Sequence, residues 1–568
     1  MLGAIILLLF LSASLGEALS TNLPRIDLGY EVHEASTLNA TGAYYNFSNI
    51  RYGEPPIGNL RWRPPVMPKE NRTSVQRGDV GRICPQSWPV WYQLMLASTG
   101  PESEAAQELA KVNPMGLIPP PDPRESEDCL FLDVLVPTKI FEKRQRKDYK
   151  GAPVMVWIYG GGFTFTDNSG NPAGLIRRSQ EREGEQDGII YVKINYRAGA
   201  FGFLSGSDLQ CDGASNVGLL DQRLALDWVK EKIHLFGGNP KRVTVFGQSA
   251  GAGSILHQIT AYGGAKGPVP FQRAILNSPG FQPYPSSYQQ DQLLHQYLNM
   301  VNFSTINEAR QLQYKILQDA NIALVANSPR GRFTFAPAVD GSFVPGLPGQ
   351  LLLHGNFDEA VEVMTSHNRN ETLLFLDQNV TSDAAFRADL VSGLPVIQSS
   401  IVDYIAEDLY PPVESKNWTS DSTPDYYSNF GRNLLSTAEI SFTCNAYYLN
   451  QAFSKIHTNH TSSYSFGLTP GYHGQDVPYT YFNGDTNPPL GAPVNETVAR
   501  WMQTYITEFA ITGNPNRNST TSLPVFETYS GGSGRSAVVL QLTESGASMV
   551  PEPQDNERCK WWQKALYY

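Results

Sequence analysis

Four short apolar runs, at 153–159, 189–194, 242–246 and 274–277, constrain this chain more than any other feature, because none of them alternates. A strand with one wet face alternates apolar and polar residues; a strand without alternation is buried on both faces, as in a parallel sheet covered by helices. Segment 217–235 carries apolar residues near i, i+3 and i+4, as an amphipathic helix does. Segments 252–262, 286–301 and 497–512 also read as helices. Strand–helix alternation of this kind implies an α/β architecture with a large, mostly parallel central sheet and helices on both faces. The chain can fill such a core: 41% of its 568 residues are hydrophobic. The region 84–129 differs in texture, being aromatic, then acidic and Ala-rich, then Pro-rich, and reads as an excursion from the sheet. Its 43 basic against 54 acidic residues give a net charge of −11, which argues against nucleic acid or an anionic membrane as partner. The nine histidines lack metal-ligand spacing, so neither a metal nor another cofactor is expected.

Residues 1–20 read as a secretory signal peptide, an apolar run over 2–11 followed by small residues, with cleavage near Gly16, Ala18 or Ser20; an uncleaved anchor is the alternative. No other stretch is apolar for long enough to span a bilayer, so stable membrane insertion is not expected. An extracellular address fits the sequons at Asn39, Asn46, Asn71, Asn302, Asn370, Asn379, Asn417, Asn459, Asn495 and Asn518. Five cysteines, Cys84, Cys129, Cys211, Cys444 and Cys559, leave at least one unpaired in an oxidising compartment.

The chemistry concentrates at 247–251, Gly-Gln-Ser-Ala-Gly. The motif follows the strand at 242–246 and precedes the helix at 252–262, the context of a nucleophile elbow. In such a turn Gly247 and Gly251 must lack side chains, and the Ser249 hydroxyl stands above the sheet edge at a helix N-terminus. A hydroxyl is a weak nucleophile unless a base and an orienting acid accompany it. In this fold class they follow in the order serine, acid, histidine. His457, His460 and His473 lie far enough downstream; the first two flank a sequon, while His473 sits in the glycine-bracketed turn 471–474. Glu371, beyond the strand-like segment 361–364, and Asp340 are rival acids. Three glycines at 160–162 follow the strand at 153–159 and allow backbone N–H groups to approach a substrate oxygen.

These residues resemble the type-B carboxylesterase/lipase family, the cholinesterase-like α/β-hydrolases, from about Tyr52 to about Trp562. Segment 236–251 is similar to the family's active-site signature throughout, and 126–137 to its second signature, with Phe131 where tyrosine is usual. Segments 58–65 and 195–203 also fit, and those around 442–444 and 558–562 point to a secreted fungal member. The resemblance implies one α/β-hydrolase domain over 21–568 and a triad of Ser249, Glu371 and His473. It selects Glu371 because 368–375 is similar to the family's N-x-D-E-G-x-x-F, with Asn370 replacing Asp and Thr372 replacing Gly. Those two changes create the sequon at Asn370, which is expected to stay unmodified beside a triad member. The resemblance further implies oxyanion donors at Gly161, Gly162 and Ala250, and ion pairs Arg61–Glu127 and Arg197–Asp221. It also implies a Cys84–Cys129 disulfide closing a lid loop; a Cys444–Cys559 bridge would leave Cys211 free. Trp88 and Trp91 in that loop either contact acyl chains or pack against the domain. The implied activity is hydrolysis of small-molecule or lipid esters, as a carboxylesterase ahead of a true lipase. Gln248, where cholinesterases carry Glu, argues against choline esters. Acyl transfer on the same triad and a non-catalytic binding role are the alternatives. Oligomeric state is not legible in the sequence.

Overall fold

The structure is a computed structural model that describes residues 23–568 apart from 80, 99–102, 182–186, 378, 414–425, 457–460, 489–491, 517–522 and 531–535. The expected signal segment, the sequons at Asn417, Asn459 and Asn518, and the candidates His457 and His460 lie outside the described residues.

An eleven-stranded sheet organises the chain. Its strands, in chain order, are β1 (Thr37–Asn39), β2 (Tyr44–Arg51), β3 (Phe131–Pro137), β4 (Ala152–Ile158), β5 (Ile190–Ile194), β6 (Gly238–Gln248), β7 (Arg273–Asn277), β8 (Glu362–Asn368), β9 (Thr461–Phe466), β10 (Val538–Thr543) and β11 (Gly546–Pro551). They lie in the order β11-β10-β9-β8-β7-β6-β4-β5-β3-β2-β1. From β5 through β4 to β10 every neighbour is parallel; the pairs at the two margins are antiparallel. The four non-alternating runs become β4, β5, β6 and β7, and every residue of β4 is buried, as a sheet covered on both faces requires.

The helices that matter to the site are α1 (Val90–Ser98), α2 (Val217–Lys232), α3 (Ala250–Ile259), α4 (Ser287–Met300), α5 (Asn429–Ala438), α6 (Cys444–Ile456) and α7 (Glu496–Thr512). The expected helix over 252–262 begins two residues earlier, directly after Ser249, and ends at Ile259. The expected helix over 217–235 divides into α2 and a 3₁₀ turn over Ile233–Phe236. A π-helical turn over Glu439–Thr443 joins α5 to α6 and was not anticipated; such wide turns concentrate at functional sites.

Cys84–Cys129 and Cys444–Cys559 are both disulfides, and Cys211 is free and exposed. Arg61 meets Glu127, and Arg197 meets Asp221, each through two buried guanidinium–carboxylate bonds at 2.6–2.7 Å. Among the described residues no helix is long and apolar enough to cross a membrane.

Candidate active site

The carboxyl ends of four adjacent parallel strands build the site, where open α/β sheets place their ligands. β6 runs straight into Ser249, whose backbone is held at φ 57°, ψ −127°. That conformation is costly for a side-chain-bearing residue and is kept where the surroundings over-determine it. Here they do: the Ser249 N–H donates to the Asn277 carbonyl at the end of β7 (2.9 Å), and the Ser249 carbonyl accepts from Gly253 (2.8 Å) and Gly280 (3.1 Å). A Cβ on Gly251 would lie 2.1 Å from the Ile158 carbonyl oxygen, and one on Gly247 would lie 2.7 Å from the Gly251 backbone. The two glycines therefore let the elbow nest against β4 and its own helix.

Glu371 follows β8 by three residues and His473 follows β9. The two loops are joined: Asn370 N–H donates to the Gly471 carbonyl (2.8 Å), and the Asn368 side-chain amide donates to the Tyr472 carbonyl (2.8 Å). The strand-like segment read at 361–364 proves longer, extending to Asn368, whose backbone N–H donates to Glu371 Oε1 (2.6 Å). Glu371 is fully buried. Its Oε2 lies 2.5 Å from His473 Nδ1, and His473 Nε2 lies 2.7 Å from Ser249 Oγ. The Gln248 amide nitrogen lies 3.3 Å from the same Nε2. Asp340 does not join this chain; its carboxylate braces its own turn through Ser342 and Val344 N–H and the Asn216 amide.

Beneath Glu371 is a second buried carboxyl that the sequence reading passed over. Asp476 accepts from the Asn277 and Asn368 amides, each at 3.3 Å. Burial, and then the nearby Glu371 charge, push it up to about 6.

The glycine loop after β4 lies beside the serine. Gly162 and Ala250 line a cavity with Ser249; Gly161 does not line it. Gly161 and Gly162 have φ of 97° and 57°, a region that favours glycine. A Cβ on Gly162 would lie 2.3 Å from the Phe333 ring, so that ring sits directly on the loop. Among the described residues the N–H groups of Gly161, Gly162 and Ala250 have no partner. The cavity has an open volume of about 30 Å³. Phe442 and Phe375 flank His473, with ring centroids 4.4 and 5.3 Å away. Trp91 is buried above them: its Nε1 donates to the Arg332 carbonyl (3.0 Å) and its ring meets Phe333 and Phe375 edge-on. Trp88 stacks on Phe165 at 4.2 Å. Both tryptophans pack against the body and neither lines the cavity.

The sequon residue Asn370 uses its side-chain amide to hold the Pro470 carbonyl (2.6 Å), and Thr372 is fully buried. Among the described residues no group of three His, Cys, Asp or Glu is placed to hold a metal ion.

A profile of the carboxylesterase family matches residues 31–562. The chain belongs to that family. As a family member it is a carboxylic-ester hydrolase, and the fold described above is the α/β-hydrolase fold. The chain is 40% identical over 568 residues to carboxylesterase patB of Penicillium expansum, covering 96% of this chain and 97% of that one. It is 30% identical to the secreted triacylglycerol lipase LIP1 of Gibberella zeae, over 85% of this chain and 81% of the relative. The crystal structure of EstA from Aspergillus niger superposes with a TM-score of 0.77 at 26% identity, covering 95% of this chain and 98% of that one.

Proposed function

We propose that the chain is a secreted carboxylesterase in which Ser249 is the nucleophile, His473 the general base and Glu371 the acid that orients it. The observation that carries this reading is the unbroken hydrogen-bonded chain from Ser249 through His473 to a fully buried Glu371.

His473 Nε2 takes the Ser249 proton as Oγ attacks the ester carbonyl, and Glu371 at Nδ1 stabilises the imidazolium. Negative charge develops on the carbonyl oxygen beside the amino end of α3. The N–H groups of Gly161, Gly162 and Ala250 receive it; one such donor is worth about 10²–10³ in rate in other serine hydrolases. The imidazolium returns its proton to the leaving alcohol, and a water activated by His473 then hydrolyses the acyl-enzyme. The aromatic rings around His473 exclude bulk water, which strengthens every charge interaction within the site.

A small cavity beside the serine supports a carboxylesterase ahead of a true lipase. Export through the signal segment at 1–20 is supported by two disulfides and by relatives named as secreted lipases. Asn71, Asn302 and Asn379 are exposed and able to carry glycans; Asn370, tied to Pro470, is proposed to stay bare. Residues 21–568 form one catalytic unit on this reading.

The test is hydrolysis of p-nitrophenyl acetate, butyrate and palmitate by the purified protein and by Ser249→Ala. The parent is expected to favour the short chains, and the variant to lose on the order of 10⁶ in kcat. Retention of most activity by the variant rules the assignment out, and preference for palmitate rules out the carboxylesterase reading.

A further inference from the structure

The cavity beside Ser249 is not uniformly apolar. Its lining is largely aromatic, with Phe281, Phe333, Phe335, Phe375 and Phe442. It also includes three polar side chains, Gln282, Thr437 and Ser441. Gln282 Oε1 accepts the Phe333 backbone N–H at 3.1 Å, which fixes the amide and leaves its NH₂ without a partner among the described residues. The hydroxyls of Thr437 and Ser441 likewise have no partner among the described residues, although both residues are largely buried.

These hydroxyls escape the usual fate of serine and threonine in helices, which bond back to a carbonyl one turn earlier. Ser441 lies in the π-helical turn between α5 and α6, and Thr437 in the last turn of α5 before it. The Ser441 carbonyl there accepts from the Asn445 amide (3.1 Å) and from Phe281 N–H (3.3 Å). Four residues separate Thr437 from Ser441, so they share one helical face, while the adjacent Phe442 meets the His473 ring. The same three polar residues also line a neighbouring cavity, together with Leu390, Leu394 and Ile440. They form a polar collar between the space at the nucleophile and the space beyond it.

We propose that this collar selects a short acyl group bearing its own oxygen, a carbonyl or hydroxyl that hydrogen-bonds to Gln282, Thr437 and Ser441; this inference rests on Ser249 being the nucleophile. An alkyl chain against the collar displaces water from three polar groups and gives them no partner in return. A site built to hydrogen-bond a substrate oxygen discriminates strongly against the analogue that lacks it. A long alkyl chain has in addition to cross the collar to reach the second cavity.

The test compares p-nitrophenyl 4-oxopentanoate with its near-isostere p-nitrophenyl 4-methylpentanoate. Each kcat/KM is divided by the ester's own rate with hydroxide, and active sites are counted from the p-nitrophenol burst, so that misfolded protein does not enter the ratio. The oxo ester is expected to be favoured at least tenfold. Ser441→Ala, Thr437→Val and Gln282→Met are each expected to reduce that ratio several-fold. A ratio near or below one, or a ratio that none of the three variants changes, overturns the inference and leaves the collar a holder of water only. The underlying reading fails differently: no ester is turned over, or Ser249→Ala turns over both as fast as the parent.

Discussion

The ends of β6–β9 and the cap above them are held together by different means. Below, Ser249, Glu371 and His473 sit on strands buried on both faces, and their loops are tied by backbone and amide hydrogen bonds. Above, the segment from Cys84 to Cys129 is anchored by its disulfide, by a backbone bond from Ser87 to Thr164, by rings, and by side-chain bonds to the body. Among these bonds are Arg61 to Glu127, Arg51 to Asp128, Asn321 to Ser87, Gln318 to the Gln86 carbonyl and Trp91 to the Arg332 carbonyl. Trp88 and Tyr92 lie on Phe165 of the glycine loop. Trp91 and Met95 form a small apolar cluster with Phe375 and Phe442, separate from the main core. The same Phe375 and Phe442 flank His473. On the proposed reading the chemistry sits in this hydrogen-bonded floor, and the cap meets it through the two shared rings.

The largest separation between the two regions is expected from Glu371→Gln. Loss of the carboxylate leaves the imidazolium unsupported and is expected to cost about 10³–10⁴ in kcat, with little change in KM or in burst-free binding of a substrate analogue. A loss below tenfold, measured on p-nitrophenyl butyrate, places the orienting acid elsewhere. Removing the cap's staple with the pair Cys84→Ser and Cys129→Ser is expected to act on stability instead. A sequence separation of 45 residues gives about 4 kcal/mol in the loop-entropy treatment, read as a lower urea midpoint. Hydrolysis of the acetate ester in that variant is expected to stay within about threefold of the parent, because no triad bond depends on the bridge. A loss as deep as that of Glu371→Gln means that the cap positions the triad itself.

The smallest expected effect lies in the floor, at Asp476. Its folded-state value is raised from 3.8 to about 6 by burial and by Glu371, so the folded chain holds this proton more tightly than the unfolded chain. The associated stability is complete below about pH 4 and is lost as pH rises through about 6. Asp476→Asn removes that loss. Relative to the parent, the variant is expected to gain up to about 3 kcal/mol between pH 4 and 7, measured by urea unfolding at both values. A difference independent of pH contradicts the account of Asp476 as a buried acid that carries its proton in mildly acidic solution.

The elements differ in how far the sequence announces them. β4 to β7 are legible because each is apolar without alternation, and the elbow at Ser249 is legible because its two glycines stand between a strand and a helix. β9 is silent: it reads Thr-Ser-Ser-Tyr-Ser-Phe, yet all six residues are buried. Ser463 accepts from Thr365 on the neighbouring strand at 3.1 Å, and a strand so rich in hydroxyls offers a hydrophobicity pattern nothing to find. The sequence case for His473 as the base rests on its glycine turn, because the strand before it gives no apolar signal. Glu371 was one of two acids until the family pattern separated them, since a carboxylate's partner is set by loops that meet only in the fold. Gln282, Phe333, Thr437 and Ser441 carried no local signal. They come from three distant segments, and one depends on a π-helical turn that helical periodicity does not encode. Asp476 is the exception: it stands three residues after His473, and a carboxyl so close to a candidate base is a signal open to sequence reading.

The most direct measurement is intact and peptide mass analysis of the purified protein after exposure to a fluorophosphonate, which phosphonylates only a serine activated by a base. The account predicts one adduct per chain, on the peptide containing Ser249, with labelling abolished in His473→Ala. An adduct on another residue, or none on folded protein that hydrolyses esters, contradicts it.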